Sequence, residues 1–197
     1  LAAHHDPTGA LTRRLGRARD SVRPIVDPEE IRADLLAGRV PAFFRNAVLP
    51  VFAPDGGTWL VLTSEGTLER HGADGSRTLA IPLEAPEMAA VWDEIVALAK
   101  APPAEQRMMP ALSYVRDAAV VGRTLWLLLN TTRDGAAVLA VVDEVGRVTR
   151  RLRFPGVVGA GSFAVDAPRR WVYFALPGTA SVIGAPLPSD PAVIGRP

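Results

Sequence analysis

Cysteine is missing from this sequence, and its 197 residues include only three histidines and one lysine, Lys100. Without a thiol the chain can form no disulfide, no cysteine-ligated metal site and no thiol nucleophile. Long apolar runs are missing too. The apolar runs, such as Leu125 to Leu129, fall far short of the roughly 20 residues that a membrane-spanning helix needs. The sequence therefore predicts no membrane span.

Charge of one sign is not in excess either. The chain has 22 Lys and Arg against 21 Asp and Glu, a formal net charge of +1. Nucleic-acid binding draws on a surplus of positive charge, so we expect no nucleic-acid partner. The arginine-rich stretch from Arg147 to Arg153 alternates basic and apolar residues, a pattern typical of a solvated edge strand. With 48% hydrophobic residues, the chain can still form a globular core.

Two segments have the pattern of short helices. In the first, Asp27 is a good N-cap, Pro28 suits the first helical position, and Gly38 is a typical stop. The second runs from Pro86 to Lys100, and its apolar residues recur at helical spacing. That apolar face consists of Met88, Val91, Trp92, Ile95 and Ala99.

The rest of the chain reads as short strands, many of them separated by Asp-Gly or Glu-Gly turns that are typical of β-hairpins. The predicted strands are 43–50, 58–63, 67–71, 77–82, 111–116, 124–130, 137–143, 147–154, 162–166, 171–176 and 179–185. Their order repeats: a turn, a tryptophan-bearing strand, a hairpin strand, a glycine turn and an outer strand. Four-stranded antiparallel units at a period of roughly 40–50 residues predict a β-propeller.

Trp59, Trp126 and Trp171 occupy equivalent positions in these repeats. A binding site would not need the same residue in every blade, so the equivalence favours a packing role. We therefore expect these side chains to lie between adjacent sheets.

The chain resembles part of a bacterial six-bladed β-propeller of the NHL-like or TolB-like kind. The resemblance rests on the pattern D-x-x-G-x-x-x-R-x-L, at Asp6 to Leu15 and at Asp143 to Leu152, and on the glycine-led starts of the tryptophan strands. It implies a location in the cell envelope or periplasm.

The fold class predicted is all-β, with antiparallel propeller blades in an incomplete ring and two short helical insertions. Six blades of about 45 residues need about 270 residues, whereas the repeats amount to two complete and two partial blades. We expect residues 1–42 to hold the end of a preceding blade plus a helical connection. Residues 43–188 hold the blades, with the helical insertion at 86–100, and residues 189–197 form a tail.

No set of residues with catalytic spacing emerges. Gly159 to Ala164 fits the dinucleotide-binding pattern G-x-G-x-x-A, but a strand follows where that chemistry needs a helix, so an inter-blade loop is expected. His4, His5 and His71 are predicted to be exposed or next to turns, which leaves no convincing histidine base. We expect no catalytic residue, no cofactor and no metal.

Ligand-binding candidates remain on the predicted inner strands, where they are expected to face a central channel. They are Arg45, Asn46, Tyr114, Arg116 and Asp166. An axial cation is disfavoured, because only Asn46 and Asp166 suit a hard cation and the two arginines oppose it.

These observations favour a non-enzymatic propeller module for binding or scaffolding, as a fragment of a larger protein. Its ligand or partner would be a protein or a small molecule that the sequence does not identify. The alternative is a propeller hydrolase, similar to lactonases or esterases, whose active site lies largely in blades that this chain lacks.

Overall fold

Four antiparallel sheets stack one after another in this protein. The structure, a computed structural model, describes residues 2–5, 8, 10–18, 27–101, 112–132 and 135–188. In that part, each strand pairs with its neighbour along the chain. The first sheet comprises β1 (Ala2–His5) and β2 (Leu11–Leu15). The second sheet comprises β3 (Val48–Phe52), β4 (Thr58–Leu62), β5 (Thr67–His71) and β6 (Arg77–Pro82), and the third comprises β7 (Val115–Val121), β8 (Thr124–Leu129), β9 (Ala136–Val142) and β10 (Val148–Val158). The fourth sheet comprises β11 (Ser162–Asp166), β12 (Trp171–Leu176) and β13 (Ser181–Pro186).

Side chains alternate between the two faces of β4 and β8, the second strands of the two four-stranded sheets, and this alternation explains why the sheets stack. In β4, Leu60 and Leu62 pack against Leu15 of the first sheet, while Trp59 and Val61 face the third sheet. In β8 the odd-numbered leucines face the second sheet, and Trp126 faces the fourth. Both strands are therefore covered on both faces and are apolar almost throughout.

The first strands of successive sheets also meet, because β3 contacts β7 and β7 contacts β11. Sheets that stack face to face with their first strands on one side form the blades of a propeller. The predicted fold class is confirmed: this is an incomplete antiparallel propeller, and the described sheets do not close a ring.

Two α-helices interrupt the sheets within the described residues: α1 (Pro28–Leu36) and α2 (Pro86–Lys100). Asp27 caps α1 by accepting a hydrogen bond from the Glu29 amide, and Gly38 ends it in the left-handed conformation at φ +73°. The two helices contact each other, and the Arg32 Nε donates to the Ala99 carbonyl at 2.8 Å. Both helix predictions are confirmed, and neither helix has the length and apolar character needed to cross a bilayer.

Two inner-strand predictions were wrong in their bounds. The segment 43–50 contains a 3₁₀ helix at Ala42–Phe44 and a turn, and its strand begins only at Val48. The segment 111–116 starts its strand at Val115, and that strand continues to Val121. The G-x-G-x-x-A segment was predicted correctly, because Gly159 and Gly161 lie between two strands with no helix after them.

Candidate functional site

Tyr114 is a buried core residue at the junction of the second and third sheets. Its backbone amide donates to the Thr63 carbonyl at 2.7 Å, and its carbonyl accepts from the Asn130 amide at 2.8 Å. The side chain belongs to the apolar core between those sheets, and burial raises the pKa of its phenol. Tyr114 therefore joins two sheets.

Arg116 lies near Tyr114 at the same end of the sheets and is exposed. Its guanidinium donates to Asn130 Oδ1 at 2.7 Å and to the Ala160 carbonyl at 2.9 Å, which ties the third sheet to the loop before the fourth. Arg45 and Asn46 lie in the turn before β3, and Arg45 donates to the Val40 carbonyl at 2.9 Å. Arg45 and Arg116 thus each donate hydrogen bonds that hold loops in place.

Asp166 lies at the opposite end of the sheets, where the β11–β12 hairpin turns. Its Oδ2 is 2.8 Å from Arg169 Nη1, and this hydrogen bond holds the pKa of the carboxyl below its ordinary value. The structure therefore divides the five sequence candidates between two ends of the molecule. A role of any of them in ligand binding stays a prediction.

A buried polar cluster on β5 was missed by sequence reasoning. Glu69 and His71 are each only 3% exposed, and Glu69 Oε2 lies 3.3 Å from His71 Nε2. Glu69 Oε1 lies 3.2 Å from Nη1 of Arg77, the first residue of β6, whose side chain is half-exposed. The prediction that His71 is exposed beside a turn was wrong. The side chains of His4 and His5 lie outside the described part.

Both ring nitrogens of His71 face an oxygen atom. Its Nδ1 lies 3.2 Å from the Gly75 carbonyl oxygen, and its Nε2 lies 3.3 Å from Glu69 Oε2. The imidazole is therefore held between the β5–β6 hairpin turn and the Glu69 carboxylate.

A cavity of about 730 Å³ opens beside this cluster, between the end of the first sheet and the β5–β6 hairpin. Its lining residues are Gly16, Arg17, Ala18, Glu69, His71, Gly75 and Arg77. Glu69 and His71 both line this cavity because they are two residues apart on a strand. Their side chains therefore lie on the same face of the sheet, the one directed at the first sheet.

A second cavity, of about 380 Å³, lies between the hairpins of the second and third sheets. Its charged side chains are paired with each other: Arg70 with Asp55 at 2.6 Å and Arg123 with Glu144 at 2.7 Å. Hydrogen bonds from the Gly57 amide and from Arg70 lower the pKa of Asp55. Because its charges are paired, the second cavity offers less uncompensated charge to a ligand than the first cavity does.

The outer face of the fourth sheet carries a row of exposed apolar side chains, which we call the open face. It comprises Trp171, Tyr173 and Val182, which are 40%, 38% and 68% exposed. The Trp171 and Tyr173 rings stack with centroids 6.4 Å apart. Gly184 lies beneath them, where a Cβ atom would come within 3.2 Å of both rings.

The prediction that the three equivalent tryptophans lie between adjacent sheets is confirmed for two of them. Trp59 and Trp126 are 4% and 6% exposed between successive sheets, as expected. Trp171 occupies the equivalent place, but no described sheet covers it, so the prediction was wrong for this residue.

Among the described residues, no group of three or more His, Asp or Glu side chains could hold a metal ion. No protein-family model matches the chain, and no curated protein matches it.

Several solved structures are similar at low identity. A catalytically inactive virginiamycin B lyase from Staphylococcus aureus with quinupristin has a TM-score of 0.42 and 11% identity, over 71% of this chain and 41% of that one. A streptogramin B lyase has a TM-score of 0.39 and 12% identity, over 77% and 44%. Kuenenia stuttgartiensis hydrazine synthase has a TM-score of 0.39 and 14% identity, over 72% and 35%. The chain thus spans less than half the length of each.

Proposed function

We propose that the chain is a non-enzymatic binding or scaffold module within a larger β-propeller of the six-bladed NHL-like or TolB-like kind. Its function is to present the open face to a further antiparallel blade. The observation that carries this proposal is the exposed Trp171–Tyr173 stack on a sheet whose opposite face packs against the third sheet.

The equivalence of the three tryptophans supports a blade as the occupant. Trp59 pairs across the sheet with Val51 and Trp126 pairs with Ala119, each from the first strand of its own sheet, and the next sheet covers both tryptophans. Trp171 has the same place in its sheet, opposite the first strand at Asp166. The open face therefore continues a series of sheet-to-sheet interfaces that the molecule already forms twice.

The free energy available at the open face is substantial. At their exposed fractions, Trp171, Tyr173 and Val182 each leave roughly 100 Å² of mostly apolar surface in water. At about 25 cal/mol per Å², covering them contributes about 2–3 kcal/mol each. Contiguous exposed apolar side chains are typical of an interaction site, whereas single exposed apolar residues are common on any protein surface.

Dye binding and sedimentation test the open face directly. We expect the wild-type protein to bind a hydrophobic dye such as anilinonaphthalene sulfonate and to self-associate with rising concentration. The triple variant Trp171→Ser, Tyr173→Ser, Val182→Ser should lose both properties. The control is Val145→Ser, because Val145 is 58% exposed but lies in the β9–β10 hairpin, away from the open face.

Two results would overturn the proposal. One is a dye-silent, monodisperse wild-type protein, which would mean that the open face needs no partner. The other is an extended reading frame without further tryptophan-strand repeats, which would remove the larger propeller.

A further inference from the structure

We propose that the cavity beside β5 and β6 binds a small organic anion through an oxyanion group, a carboxylate or a phosphate. Arg17 and Arg77 would be its cationic ligands, and the buried Glu69–His71 pair would fix the position of Arg77. This site is separate from the open face and does not depend on its function.

Comparison of the second and third sheets supports this proposal. Aligned on their tryptophans and on strand register, Thr58, Glu69, His71 and Arg77 correspond to Leu125, Ala140, Val142 and Val148. The third sheet packs these four positions as apolar core against its neighbour. The second sheet replaces all four with polar or charged residues, on the face that lines the cavity.

Packing does not explain the replacement. Burying ionisable groups costs several kcal/mol per ion, and a hydrophobic pair of similar volume is often at least as stable. The Thr58 hydroxyl is wholly buried and has no hydrogen-bond partner among the described residues, which adds a further cost. Such a costly arrangement beside a cavity is typical of a functional site.

The charges of the cluster select an anion. The lining residues include two guanidinium groups, those of Arg17 and Arg77, and one carboxylate, that of Glu69, so positive charge is in excess. Guanidinium groups match the planar, bidentate geometry of carboxylates and phosphates. A cavity of about 730 Å³ is the size of a small-molecule site.

Amide chemical shifts of the ¹⁵N-labelled protein provide a local readout. Inorganic phosphate and citrate are titrated separately at constant ionic strength, and the amides of Gly16 and Gly75, which line the cavity, are followed. We expect saturable shifts with at least one anion. Arg77→Gln and Arg17→Gln should each weaken the apparent affinity by about tenfold or more.

Arg147→Gln is the matched control, because Arg147 is an exposed arginine next to the β9–β10 hairpin turn and should leave the affinity unchanged. Arg77 is half-exposed, so its variant should remain folded, and circular dichroism checks this. Saturation by phosphate alone assigns the site to phosphate esters, and saturation by citrate alone assigns it to carboxylates. Shifts that do not saturate, or an equal loss in Arg147→Gln, would overturn the proposal.

Discussion

Replacing the buried ion pair by the residues of the neighbouring repeat should leave the protein at least as stable as the wild type. The double variant Glu69→Ala, His71→Val installs the side chains that Ala140 and Val142 place in the equivalent core positions. It removes two desolvated polar groups together. Removing both desolvated groups contributes up to about 4 kcal/mol in the stabilising direction, and the smaller volume of Ala and Val offsets part of this gain, so the net change in the free energy of unfolding should lie close to zero or be stabilising.

Each single variant should behave in the opposite way. Glu69→Ala leaves His71 Nε2 without its carboxylate, and His71→Val removes the imidazole from beside the buried Glu69 carboxylate. Breaking a buried pair costs about 3–5 kcal/mol. The adjoining cavity gives water some access to the cluster, so the lower value, about 3 kcal/mol, is the better expectation.

The wild type, the two single variants and the double variant form a double-mutant cycle. Urea unfolding at neutral pH, followed by tryptophan fluorescence, measures the free energy of unfolding of each. A loss of about 3 kcal/mol moves the midpoint down by roughly 1–3 M, which is easily resolved. The reasoning requires a strongly non-additive cycle. If the double variant is destabilised by the sum of the two single losses, Glu69 and His71 are not coupled, and the inferred interaction between their side chains is refuted.

Two further predictions concern the sheet interfaces. Trp126→Ala should lower the free energy of unfolding by about 3–5 kcal/mol in urea denaturation, because this side chain is buried between two sheets. Trp171→Ala on the open face should lower it markedly less. Equal losses in the two variants would contradict the stacking of the sheets. Burial raises the pKa of the Tyr114 phenol, so the folded state holds its proton more tightly and stability should fall as pH rises above about 10. Tyr114→Phe should flatten that decline in thermal melts at alkaline pH, and an unchanged decline would contradict the assignment.

Much of the fold was predictable from local patterns. The bounds of α2 and of several strands follow from apolar periodicity and from turn glycines such as Gly75 and Gly146, both at positive φ. The repeat of tryptophan strands predicted the stacked sheets. The periodicity and turn signals act over a few residues and the repeat is visible along the chain, so the sequence alone carries them.

The misses depend on contacts that the apolar pattern of the sequence does not show. Phe43 and Phe44 are apolar enough to suggest a strand, but Arg45 donates back to Val40 and helps to hold a compact turn before β3. His71 precedes a glycine turn and therefore looks exposed, whereas the first sheet covers the β5 face that carries it. A polar i, i+2 pair in the strand after a tryptophan strand, where the other repeat is apolar, is the signal that could have revealed the cluster.

The pairing of each strand with its chain neighbour has a consequence for how the protein folds. Every sheet can form from a single contiguous stretch of chain, so strand pairing closes only short loops, and the docking of finished sheets is the later event. The third sheet is packed on both faces, whereas the fourth is packed on one. Assembly is thus free to start in the middle of the described stack and spread outward, and backbone amides should exchange fastest in the strands under the open face.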